Sequence, residues 1–292
     1  MDERYDLMRS VRDGRYVYVR NFMPHRIQGQ HVSYMFETPT TRVWKQLFDA
    51  GKLQPPQTAF WLPRAPEELY DVDADPEETR NLAALPESRD ILERFRRAQR
   101  EHFFAIRDVG FLPEDEIHSR AAGSTPYEMG HDDSKYPLER ILATAELASL
   151  LRPEDTPRLL SALSDGDSAV RYWGAQGLLM RGKDVVAGAR AELTKALGDA
   201  APAVRIIAAE ALGRYGQPDD VKQGVSALAE LAPVAKNNVY VSLQALNALD
   251  TLGLRAAPAL PTIRTAGAGG VPPRSGDGLA SLVKKLERDL GK

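Results

Sequence analysis

The sequence predicts a small α+β unit, an antiparallel sheet with packed helices, followed by an all-α solenoid. Three observations predict it. Residues 1–107 carry Tyr/Val strand runs punctuated by Pro and by an Asp-Gly pair. Past Pro137 the chain turns to Ala and Leu, with no strand signal. Within that second half, a 22-residue stretch recurs at an offset of 34. The predicted organisation is an N-terminal unit over 1–107, a connecting segment over 108–137, and a solenoid with a closing helix over 138–292.

The elements of the first unit follow in order. Residues 5–11 and 15–21 flank Asp13-Gly14, a pair that favours the type I′ turn of a tight hairpin. In RYVYVRN the β-formers Tyr16, Val17, Tyr18 and Val19 predict a strand. Residues 41–50 place Val43, Leu47 and Ala50 at helical spacing, beside Trp44 and Phe48. Residues 68–72 form a short predicted strand. Asp75-Pro76-Glu77-Glu78 then has the order of a helix start: cap, Pro at the first position, Glu at the third. A longer helix starts at Pro86-Glu87 and runs to about Ile106, with Ile91, Leu92, Phe95, Ala98, Phe103 and Ile106 on one stripe. Residues 108–137 show no sustained period and are rich in Gly, Pro, Ser and Asp, so they read as a connection laid over a surface.

In the second half, residues 161–182 (SALSDGDSAVRYWGAQGLLMRG) align with 195–216 (KALGDAAPAVRIIAAEALGRYG), and nine of 22 positions are identical. A fainter copy, VSLQALNALDTLG, ends at Gly253. Two-helix repeats of this length mark an α-solenoid. The pattern resembles HEAT repeats over about 138–266, with residues 141–151 as a capping half-repeat. A Gly/Pro/Ser hinge at 267–278 precedes a closing amphipathic helix at 279–290. Asp165 and Arg171 share their six-residue spacing with Asp199 and Arg205. That spacing predicts a structural ladder in which each Arg reaches an Asp of its own or the adjacent repeat.

Composition narrows the function. A formal charge of −3 and a pI near 6.0 give no basic field for nucleic-acid phosphate. The absence of cysteine excludes disulfides, thiolate metal sites and thiol nucleophiles. No apolar run approaches the roughly 20 residues of a membrane span. The charged start MDERYDLMRSVRDGR is not a signal peptide.

Three stretches occur in a telling order: LMRSVRDGRYVYVRNF, PTTRVWKQLFDAGKL and ELYDVDADPEETRNLA. Together they resemble the C-terminal subdomain of the sulfatases, in the alkaline-phosphatase-like superfamily. The match is nearest the heparan N-sulfatase (sulfamidase-like) branch, and bacterial sulfatases can carry HEAT repeats behind such a tail. The resemblance implies an intact enzyme that hydrolyses sulfate esters or sulfamates of carbohydrates. Its formylglycine nucleophile and Ca²⁺ belong to a large catalytic domain, and its implied location is periplasmic or secreted. This chain is then expected to hold no catalytic residue, no metal ligand and no cofactor, and to be inactive without that missing catalytic domain.

Two local imitations are discounted. Ser124-Thr125-Pro126-Tyr127-Glu128 has the outline of the family's Cys/Ser-x-Pro-x-Arg motif but puts Glu where Arg belongs. His131-Asp132-Asp133 imitates the metal carboxylates without the apolar strand that should precede them. The resemblance leaves Arg20, His25, Arg26 and His31 as candidates for the rim of a sulfated-sugar pocket, weighed against a plain polar loop. Trp44, Trp61 and Trp173 could stack on sugars or pack in cores. The alternative function is a stand-alone HEAT-repeat interaction protein, with a protein partner on the solenoid and a vestigial sulfatase subdomain.

Overall fold

The computed structural model describes residues 4–268 and 273–291, with side chains in the last helix from residue 278 onward. Strands β1 (Met8–Arg12) and β2 (Tyr16–Asn21) form an antiparallel hairpin, and β3 (Glu67–Asp71) pairs antiparallel with the other edge of β2. The hairpin tip is not a type I′ turn, because neither Gly14 nor Arg15 has a positive φ. The Asp13 carboxylate instead accepts the amides of Arg15 (2.8 Å) and Tyr16 (2.7 Å), closing the turn without left-handed backbone.

Between β2 and β3 lie α1 (Ser33–Glu37) and α2 (Pro39–Asp49), neither of which buries a side chain. After β3 the expected helical turn at Asp75 does not form. The Glu78 amide bonds Asp75 O at 3.1 Å, but Glu78 itself is left-handed (φ 51°), which reverses the chain after a single turn. The reversed chain runs back along β3. Asn81 Oδ1 accepts the amides of Leu69 (3.0 Å) and Ala83 (2.9 Å), and its Nδ2 donates to Glu67 O (2.9 Å). The Asn-Leu of the sulfatase-like signature thus seals a sheet edge.

Helix α3 (Arg89–Ile106) follows a 3-10 turn and lays Leu92 and Phe95 on Tyr18 and Leu69 of the sheet. Alternation along the strands puts Tyr18 and Leu69 on this covered face. Val17, Val19 and Tyr70 point to the opposite one, where they are partly exposed.

The segment 108–137 is not laid over a surface. It folds into a 3-10 turn, α4 (Glu114–Arg120) and α5 (Pro126–Gly130), and buries Phe111, Leu112, Met129 and Tyr136 almost completely. Short turns of mixed type leave no single period in the sequence, so aperiodicity there reflects brevity rather than solvation. Phe111 meets Phe22 (4.9 Å between centroids) and Phe103 (5.1 Å), and its carbonyl accepts the indole N–H of Trp173 at 2.8 Å. One core therefore runs unbroken from the N-terminal unit into the helices.

Those helices are α6 (Leu138–Ser149), α7 (Thr156–Ala162), α8 (Ser168–Met180), α9 (Lys183–Gly188), α10 (Arg190–Ala196), α11 (Pro202–Tyr215), α12 (Pro218–Leu231), α13 (Val239–Leu252), α14 (Leu260–Arg264) and α15 (Pro273–Leu290). Helices α6, α8, α11, α13 and α15 pack side by side in that order, and α7, α10 and α12 pack behind them. This is the two-layer stacking of a solenoid. Close approach needs small residues: a Cβ on Gly224 of α12 would sit 2.6 Å from the carbonyl oxygen of Ala209 in α11. Helix α15 begins at Pro273, inside the stretch expected to be a hinge. Residues 269–272 of that stretch lie outside the described residues.

Candidate functional site

The four rim candidates do not form one pocket. Arg20 lies near the end of β2, next to its final residue Asn21, and the chain from there to His31 crosses the inner helices of the solenoid, where its side chains bind in sequence. Arg20 Nη2 donates to Ser149 Oγ of α6 at 2.6 Å. The Gln176 amide of α8 donates to His25 Nε2 at 3.3 Å. Arg26 Nη2 meets Glu210 Oε2 of α11 at 2.7 Å, and its Nη1 donates to Thr251 Oγ1 of α13 at 3.1 Å. Arg4 joins them, reaching Asn247 Oδ1 (2.6 Å) and Asp250 Oδ2 (2.8 Å) on α13, while its Nε donates to the His31 carbonyl at 2.7 Å. The His31 ring rests on Phe36, 4.6 Å between centroids. The inner layer of the solenoid is thus clasped by the chain's own N-terminal unit.

Burial sets the chemistry of these groups. The Glu210 side chain is 1% exposed and that of Arg26 16%, so the buried carboxylate relies on its arginine partners. Burial, then the positive charges of Arg26, Arg214 and Arg64, push the His25 imidazole well below its ordinary pKa, and it stays neutral. A shielded neutral ring and an ion-paired arginine suit docking better than contact with a ligand in solvent.

Three of the four, His25, Arg26 and His31, line a cleft of about 610 Å³ that opens toward α15, while Arg20 lies apart from it. Its cations are already engaged: Lys285 with Asp250 and Asp289 (3.0 Å to the latter), Arg288 with Asp289 (2.9 Å), and Arg214 with Glu210 (3.6 Å).

The ladder residues lie elsewhere, where one repeat meets the next. Arg171 grips Asp199 through Nε (2.7 Å) and Nη2 (2.8 Å), and its Nη1 donates to Asp165 O (2.9 Å) and Gly166 O (3.2 Å). Arg205 reaches no Asp. It pairs with Glu230 at 3.0 Å and donates to Leu197 O at 2.9 Å, because no Asp follows it at the distance that separates Arg171 from Asp199. Asp165 pairs with Arg140 of α6. In each case the arginine of one unit holds a carboxylate of the following unit.

The catalytic imitations have structural occupations. Thr125 and Glu128 form a capping box on α5, and Ser124 Oγ donates to Glu128 Oε2 at 2.5 Å, so Glu stands where this helix start needs it. Asp132 accepts from Ser134, and Asp133 pairs with Arg107 at 2.5 Å. These residues do not fit a formylglycine or a Ca²⁺ site. Among the described residues, no three His, Asp or Glu side chains converge as a metal would require. Trp44 stacks on Phe60 (4.7 Å), Trp61 is buried beside them, and Trp173 lies in the main core.

Sequence reasoning missed the docking row on the solenoid, although a signal for it was present. Gln176, Glu210 and Asn247 each stand six residues before the glycine that ends their repeat copy, at Gly182, Gly216 and Gly253. This column of polar residues, on helices rich in Ala and Leu, marks the face that receives His25, Arg26 and Arg4.

Residues 156–249 match the family model for HEAT repeats. A 117-residue stretch is 35% identical to an ulvan-active sulfatase of Formosa agariphila, covering 40% of this chain. The chain spans about a fifth (20%) of the length of that relative. No solved structure matches the chain. No described helix is long and apolar enough to cross a membrane. A three-stranded antiparallel sheet followed by a helical region with HEAT repeats is the architecture these findings describe.

Proposed function

We propose that this chain is the C-terminal, non-catalytic portion of a carbohydrate sulfatase, and that its solenoid braces the sulfatase-like unit from within. The observation that carries the reading is the ordered set of three stretches, folded together as hairpin, surface helix and sealed third strand, in a chain 35% identical over 117 residues to an ulvan-active sulfatase. In this reading, formylglycine and Ca²⁺ chemistry belongs to a catalytic domain that partners the unit. Sulfated carbohydrate is then the substrate of the assembled enzyme only.

The uncovered sheet face supports that partner. It presents Val17, Val19 and Tyr70 partly exposed, beside Met8 at 42% exposure. The alternative, a stand-alone interaction module that binds another protein, would ordinarily use the inner layer of the solenoid. Here that layer already holds Arg20, His25, Arg26 and Arg4.

The test is the reading frame upstream of the Met1 codon, with an assay of sulfate release by the purified chain in Ca²⁺. An open frame reaching a Cys/Ser-x-Pro-x-Arg motif, and no turnover by the chain alone, support the reading. A stop codon close upstream, or formylglycine-dependent turnover by the 292-residue chain, overturns it.

A further inference from the structure

Away from the docking row, a cleft of about 460 Å³ opens between α3, the Tyr18 side of the sheet, and the α6–α7 end of the solenoid. That volume is in the ordinary range of ligand pockets. Arg20, Arg96, Arg97, Arg100, Arg152 and Arg158 line it. Their counter-charges are fewer. Arg96 holds Glu67 through two bonds (2.7 and 2.5 Å), and Arg100 holds Glu146 at 2.6 Å. Arg152 and Arg158 share Asp155, at 2.8 and 3.7 Å. Six guanidinium groups against three carboxylates leave the cleft strongly positive, in a chain whose overall charge is −3.

Arg20 is the unusual member. It is 4% exposed and makes no ion pair among the described residues. Its Nη1 donates to Asn21 O (3.1 Å) and Pro66 O (2.8 Å), its Nη2 to Ser149 Oγ (2.6 Å), and the group lies over the Phe22 ring at 4.8 Å. A guanidinium carries five N–H donors, so two remain unused on this buried cation. A buried charge without a counter-ion is costly, and an anion entering the cleft would relieve that cost. Arg97, exposed on α3, is likewise unpaired among the described residues.

We propose that this cleft binds a tetrahedral oxyanion, a sulfate or phosphate group either free or carried on a sugar, with Arg20 at its floor and Arg97 and Arg158 at its mouth. Guanidinium forks match the oxygens of such groups in pairs, which a compact ammonium cannot do. The cleft exists only because the solenoid closes over α3, so it is a property of the two units together. The inference stands on charge and burial and does not depend on the sulfatase reading.

Titration calorimetry of the full chain at fixed ionic strength tests it, with four probes: inorganic sulfate, inorganic phosphate, a sulfated oligosaccharide and its desulfated form. Saturable binding of at least one oxyanion is expected. Arg97→Glu should weaken it about tenfold or more, while Arg89→Glu, the same charge change 80% exposed on the same helix, leaves it unchanged. Arg20→Lys, which keeps the charge but not the fork, should also weaken it; if that variant fails to fold, Arg97→Glu decides. Similar affinities for the ions and the sulfated sugar assign a free-ion site. A tighter sulfated sugar, with binding lost on desulfation, assigns a sugar-borne group. No saturable binding of any probe, or equal weakening by Arg89→Glu and Arg97→Glu, overturns the proposal.

Discussion

Arg26 and Glu210, 184 positions apart in sequence, meet at 2.7 Å beneath the surface and tie the N-terminal unit to the third of the inner helices. Removing Glu210 strands Arg26, and removing Arg26 leaves the buried Glu210 only its longer contact with Arg214 at 3.6 Å. Arg26→Ala or Glu210→Ala should each cost about 3–5 kcal/mol. Arg26→Met with Glu210→Leu should recover much of that loss. Denaturant unfolding of the four proteins measures it. A double variant no more stable than either single one would show that the pair is not what holds the units together.

His25 gives the interface a pH dependence with a definite sign. Its folded pKa lies below the unfolded value near 6.5, so the folded state binds fewer protons. Its contribution is present above that value and is lost as pH falls below it, by about 1.4 kcal/mol per pH unit. Asp115 acts oppositely. Burial, then Glu116, raise it to about 6, so its contribution is fully present below the ordinary carboxyl range and is lost as pH rises through 6. The difference between the stability profiles of the native protein and His25→Gln isolates the histidine. The native protein should lose stability faster than the variant as pH falls below about 6. Parallel profiles would contradict the assignment.

Along the repeats the ladder should be uneven. Arg171 makes a two-bond grip on a shielded Asp199 and also caps two carbonyls, whereas the partner of Arg205, Glu230, is 67% exposed. Arg171→Ala should cost about 2 kcal/mol and Arg205→Ala about 1 kcal/mol or less. Arg171→Lys should restore little, since an ammonium cannot reproduce the fork. Thermal unfolding of the three variants reads the order.

Asn81 makes a local prediction. Its side chain holds the outer edge of β3 through two hydrogen bonds and the Ala83 amide through a third, and Asn81→Ala removes all of them. The loss should be about 2 kcal/mol. Amide exchange at Leu69 should accelerate while exchange in α11 is unchanged. Protection at Leu69 that survives the substitution would move the role of this residue elsewhere.

Much of the architecture is legible in the sequence because it is periodic or punctuated. The alternation of Tyr16 to Val19, the stripe from Leu92 to Phe103, and the copies at 161–182 and 195–216 each announce an element. What is not legible depends on partners far along the chain. Nothing local distinguishes His25 and Arg26 from an exposed polar loop, since what buries them lies 151 and 184 positions away. The turn at Asp75 has every local sign of a helix start, yet pairing back along β3 wins and forces Glu78 left-handed. The segment 108–137 is hard to read for another reason: its buried residues sit in pieces too short for a period to show.

Repeat arrays ordinarily change length easily, because each unit touches only its neighbours and a duplicated or deleted unit leaves the rest intact. This array is pinned at α6, α8, α11 and α13 by Arg20, His25 and Arg26 of a single continuous strand-and-loop. Inserting one unit between Gln176 and Glu210 would pull their adjacent partners His25 and Arg26 apart by the width of a helix pair. The number of repeats is therefore not free to drift. It is measured off, unit by unit, against a ruler that the chain itself supplies.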